Sequence, residues 1–122
     1  MIRYVMLSCF LLVLIVTLIA GLRSEPVPQA FDHQDWLHHA AAFAALTCTA
    51  RLAFARCHLC WIVLYCLLLS LGIELAQGLL PRRTASFDDM LANVVGVCLG
   101  IVAATLFRRL QRVIPVQALR DL

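Results

Sequence analysis

Four stretches of this chain, residues 2–22, 36–55, 59–80 and 90–107, are apolar over about the length a helix needs to cross a bilayer, roughly 20 residues at about 1.5 Å each. Only short polar connections join them. Of the 122 residues, 63% are hydrophobic, more than a soluble domain of this size can bury. The pattern predicts an all-α fold: a polytopic membrane helix bundle of about four transmembrane helices, forming a single domain over 1–122. Function is then expected inside the bundle or at its ends, with no room for a separate soluble catalytic domain.

The first segment combines a short basic start, an apolar run and the small pair Ala20-Gly21, features shared with a secretory signal peptide. Its apolar run is long for that role, so it reads as a retained helix. Orientation follows from arginine, because all ten basic residues are Arg. Alternating the helix ends places Arg3, Arg51, Arg56, Arg108, Arg109, Arg112 and Arg120 on one side and Arg23, Arg82 and Arg83 on the other. The positive-inside rule predicts that the first side is cytoplasmic, with both termini there. The formal net charge of +3 is thus an orientation signal. These arginines are not interleaved with aromatic residues, which argues against nucleic acid as a partner.

The acidic residues gather at the opposite mouth. Glu25, Asp32, Asp35, Asp88 and Asp89 fall there with His33, His38 and His39, and Asp121 alone falls on the arginine side. Glu74 is expected about two turns below that mouth, near 10 Å at about 1.5 Å per residue. Helical spacing gives each of three helices a polar pair on one face: Asp35 with His38 and His39, Glu74 with Gln77, and Asp89 with Asn93. An ionisable group at membrane depth is costly and normally turns into the bundle to find a partner. Glu74 is therefore expected to point inward. A plainer reading pairs Glu74 with Arg82 or Arg83 to fix the loop, and makes Asp88 or Asp89 the cap of the fourth helix.

The order Asp35-x3-His39-x3-Phe43, Glu74-x2-Gln77 and Arg83-x5-Asp89-x3-Asn93-x2-Gly96-x3-Gly100 resembles the VanZ-like family of small bacterial integral membrane proteins. The family commonly has Lys directly after the first Asp; this chain has Trp36, a residue suited to a membrane interface. The resemblance implies a bacterial cytoplasmic-membrane protein of the cell envelope. The family is named for a determinant of low-level resistance to the glycopeptide teicoplanin, and proposals for the wider group centre on lipid head groups or lipid-linked envelope intermediates. Such a partner suits an outward-facing site of carboxylates, one imidazole and one guanidinium. In that site Arg83 would bind phosphate bidentately, with Gln77 and Asn93 as further substrate contacts, and His39 would move a proton. Asp35, Glu74 or Asp89 would act as base or hold a divalent cation, no other cofactor being expected. No covalent nucleophile stands out, although Thr84 and Ser86 lie nearby. The alternative function is a non-catalytic structural or accessory subunit whose polar cluster locks the helices. A transporter is weaker, since four helices show no inverted repeat.

Other features favour plain readings. "CHLC" places Cys57 and Cys60 around His58, two thiols where a structural zinc site needs four ligands. Cys9, Cys48, Cys66 and Cys98 lie in apolar runs and read as small buried hydrophobes. Ala92, Gly96, Gly100 and Ala104 recur every fourth residue, the pattern of close helix packing, and the alanines from Ala40 to Ala45 are the expected partner surface. The tail "FRRLQRVIPVQALRDL" is expected to lie on the inner membrane surface as a basic amphipathic helix.

Overall fold

The computed structural model describes residues 2–113, and among them it contains four helices and no strand: α1 (Ile2–Gly21), α2 (Gln34–Ala53), α3 (Leu59–Gln77) and α4 (Phe87–Val113). The helices run up and down in turn. At one end, Gln77 of α3 donates to the Gly21 carbonyl of α1, and His39 of α2 meets Asn93 of α4. At the other end, Arg108 of α4 donates to the Arg51 carbonyl of α2, and the rings of Phe10 and Phe54 pack edge to face 5.2 Å apart.

Three helices are long and apolar enough to cross a membrane: α1, α3 and α4. The second segment, expected as a fourth such span, forms a helix of the right length but falls short in apolarity. It carries Asp35, His38, His39 and Arg51 among alanines, and its packing against α1 and α4 covers part of that surface. The outer faces of the bundle are apolar. Tyr4, Leu12, Ile19, Leu68, Leu99 and Leu106 are exposed, and only 11% of the α1 span is buried, so the solvent these faces require is lipid.

The central seam joins α2 and α4, which run parallel. Gly96 sits against the Ala40 carbonyl and Phe43, and Gly100 against the Ala44 carbonyl and Thr47. A Cβ at Gly100 would lie 2.5 Å from the Ala44 oxygen and 3.0 Å from the Cys48 nitrogen, closer than packed atoms come, so this stretch of backbone requires glycine. Ala92 and Ala104 complete a buried small-residue stripe facing the alanine-rich side of α2.

Several boundaries differ from expectation. Helix α3 stops at Gln77, not residue 80, because Pro81 cannot continue a helix. From there the chain tightens into three-residue turns, Leu79 N–H to Ala76 O and Leu80 N–H to Gln77 O. Glu74 consequently lies in the last turn of α3. Helix α4 starts at Phe87, not residue 90, and Ser86 caps it: the Ser86 carbonyl accepts the Met90 N–H and its hydroxyl accepts the Asp89 N–H. Asp88 and Asp89 therefore occupy the first turn and neither is the cap. The same helix continues to Val113, carrying Arg108, Arg109 and Arg112 past residue 107. The remainder of the expected tail helix, with Arg120 and Asp121, lies outside the described residues. Cys66 is buried, whereas Cys9 and Cys98 are exposed on the outer face of the bundle, so those two are not buried as expected.

Candidate functional site

At the end of the bundle where α1 and α3 finish and α2 and α4 begin, four polar residues from three helices come together. His39 is placed by α2, Glu74 by α3, and Asp89 and Asn93 by α4. His39 Nδ1 lies 3.0 Å from Asn93 Oδ1 and 3.6 Å from Glu74 Oε1, and His39 Nε2 lies 3.8 Å from Asp89 Oδ2. One ligand-type atom from each of His39, Glu74 and Asp89 falls within 4.8 Å of the other two.

The network reads in one direction. The Ser70 hydroxyl donates to Met90 Sδ at 3.2 Å, Asn93 Nδ2 donates to Ser70 Oγ at 2.8 Å, and Asn93 Oδ1 accepts from His39 Nδ1–H. With Nδ1 carrying the hydrogen, the lone pair of the neutral imidazole is on Nε2, toward Asp89. Glu74 is 4% exposed. Its Oε2 accepts the Ser86 backbone N–H at 3.2 Å, while Oε1 is buried without a hydrogen-bond partner, as is Asp89 Oδ1.

The neighbouring cavity, of about 400 Å³, lies between α1, α2, α3 and the first connection. Asp35, His39, Gln77 and Arg83 are on its wall with the apolar Ala20, Phe43 and Ile73. His39 is thus common to the cavity and the buried cluster, whereas Glu74 and Asp89 stand behind it. Arg83 makes no ion pair among the described residues, and its Nε is buried without a partner. Arg82 instead pairs with Glu25 at the exposed rim, with its backbone in the left-handed region at φ 63°. The loop is therefore tied by Arg82 to Glu25, and neither arginine pairs with Glu74.

A family profile described as VanZ/LLP1 matches residues 4–108 of the chain. The chain belongs to this family. No curated protein and no solved structure matches it. The VanZ/LLP1 match takes in all of α2 and α3 and most of α1 and α4, and so includes every residue of the cluster and the cavity wall.

Of the residues singled out in the sequence, Asn93 is positioned differently from a substrate contact. It is fully buried, and both ends of its amide are used within the protein. Gln77 reaches the cavity, but its amide nitrogen is held by the Gly21 carbonyl at 2.9 Å, joining α3 to α1. His38 is at the rim, 3.4 Å from Gln34 Nε2. Ser70 is the member of this VanZ/LLP1 cluster that sequence reasoning missed. The available signal was a single hydroxyl in an apolar run, four and seven residues before Glu74 and Gln77 and so on the same helical face.

Proposed function

We propose that this VanZ/LLP1 protein binds the polar head group of an envelope lipid or lipid-linked intermediate at the outer leaflet of the bacterial cytoplasmic membrane, in the cavity beside His39. The observation that carries this reading is Arg83, a guanidinium on the wall of an otherwise largely apolar cavity, with a buried Nε that no group among the described residues satisfies. A planar donor in that state suits two oxygens of a phosphate or carboxylate. The apolar wall formed by Ala20, Phe43 and Ile73 accepts the first carbons of the lipid tail. Asp35 supplies an acceptor for head-group hydroxyls or amines, and His39, held by Asn93, is the imidazole on the cavity wall. Asn93 and Gln77 act as positioning residues. The arginine asymmetry supports the outward placement of this end.

The test is mass spectrometry of lipids that copurify with the protein, comparing the parent with Arg83→Lys and Arg83→Ala. One lipid class enriched on the parent and depleted on both variants is expected. Identical lipid profiles on folded variants would remove the reading. A structural-lock role has its own support, since the bonds through Asn93 join α2, α3 and α4 at one point. Under that role, Arg83 substitutions leave lipid and phenotype unchanged, while Asn93 substitutions reduce stability.

A further inference from the structure

Behind the cavity, Glu74 and Asp89 hold carboxylate oxygens that no donor satisfies, and the imidazole beside them turns its bare nitrogen toward Asp89. Glu74 Oε1 and Asp89 Oδ1 are both buried and unpartnered among the described residues, and His39 lies beside both acids, its Nδ1 3.6 Å from Glu74 Oε1 and its Nε2 3.8 Å from Asp89 Oδ2. Such an arrangement is repulsive unless something positive stands among them. Arg83, on the cavity wall, makes no ion pair with either acid among the described residues.

We propose that His39 Nε2, Glu74 Oε1 and an Asp89 carboxylate oxygen bind a divalent transition-metal ion. One imidazole and two carboxylates form a mixed nitrogen and oxygen set, suited to zinc or manganese and less to calcium, which takes six to eight oxygens. Ligands about 2.0–2.2 Å from such an ion stand roughly 3–3.6 Å from one another. One ligand-type atom from each of the three residues already falls within 4.8 Å of the other two, so small side-chain rotations bring them to bonding distance. Supporting groups are in place for two of the ligands. Asn93 Oδ1 accepts the His39 Nδ1–H, the usual way of orienting an imidazole ligand, and Ser86 N–H holds the second oxygen of Glu74. His39 also borders the cavity whose wall carries Arg83, so the site lies next to that space.

This site stands on the geometry of the cluster and does not require the head-group reading. It is tested on the full chain in detergent, stripped with chelator, with Cys57 and Cys60 replaced by Ser to remove two exposed thiols that would bind zinc on their own. Titration with Zn(II), and separately with Mn(II), is expected to show one ion per chain. His39→Gln, Glu74→Gln and Asp89→Asn are each expected to weaken binding tenfold or more, whereas Asp88→Asn, an exposed acid in the same turn, leaves it unchanged. Electron spin-echo spectroscopy of the Mn(II)-loaded parent reads the same site without relying on variant folding, and ¹⁴N modulation from one imidazole is expected, lost in His39→Gln. Absence of stoichiometric binding, binding that survives all three substitutions, or a manganese signal without nitrogen coupling would overturn the proposal. Neither measurement involves lipid, so a negative result leaves the head-group reading to its own experiment.

Discussion

Asn93 Oδ1 lies 3.0 Å from His39 Nδ1, a contact between residues 54 positions apart that joins two parallel helices at one end of the bundle. The contact exists because the backbones of α2 and α4 approach closely just below it, where Gly96 meets Ala40. A helix pair held further apart by ordinary side chains would leave the imidazole short of the amide. Packing of small residues therefore sets the geometry of the polar cluster.

The first consequence concerns Gly100. Gly100→Ala adds a methyl group against the Ala44 oxygen, Thr47 Cβ and Cys48 nitrogen, mostly backbone that has no rotamer with which to move aside. Overpacking of this kind costs about 1–3 kcal/mol. Gly72→Ala is the matched control, since its Cβ meets nothing within 4 Å and alanine in a helix interior gains roughly 0.5–1 kcal/mol over glycine. Thermal unfolding in detergent should show the first variant melting lower and the second at or above the parent. Equal melting temperatures would contradict the close approach.

Ser70 offers a test of the hydrogen-bond direction. Ser70→Ala leaves the buried Asn93 Nδ2 without an acceptor, a loss of about 1–3 kcal/mol. It also releases the amide to rotate, so the His39 tautomer should no longer be held with hydrogen on Nδ1. Nitrogen-15 chemical shifts of the His39 ring, measured in labelled protein, are expected to show the Nδ1–H tautomer in the parent and a mixture in the variant.

Arg82 and Arg83 are neighbours with different surroundings, and their variants should separate. Arg82→Ala breaks an exposed pair with Glu25, worth about 0–1 kcal/mol, and is expected to be mild in stability and phenotype. Arg83→Lys keeps charge but not the planar fork, and is expected to fold like the parent while losing any effect on glycopeptide susceptibility. Melting temperature measured beside the susceptibility phenotype decides this. A fully functional Arg83→Lys variant would favour a structural lock.

Sidedness is readable with single cysteines in a cysteine-free background. Thr84→Cys, at the exposed connection beside the cluster, should react with an impermeant thiol reagent on intact cells, and the native Cys57 at the other end should not. The reverse pattern would place the cluster on the cytoplasmic side.

Four helical segments, the apolar faces of the bundle and the small-residue stripe were legible in the chain itself because hydropathy and a period of four are local properties. The spacing of Asp35, His39, Glu74, Arg83, Asp89 and Asn93 likewise carried the family resemblance. Local pattern also misled, since apolar runs hid the exposure of Cys9 and Cys98 and the early stop of α3 ahead of Pro81. Which polar groups meet was settled only by the tertiary structure. Arg82 found Glu25 at the rim while Arg83, the arginine with the family's spacing to Asp89, turned toward the cavity. Asn93 became a support for His39, and Ser70, a lone hydroxyl in an apolar run, became its anchor. These outcomes depend on the rotation and separation of α2, α3 and α4 about one another, and those are fixed by the shape of the whole packed interface, where the Gly96 and Gly100 backbone bears on α2.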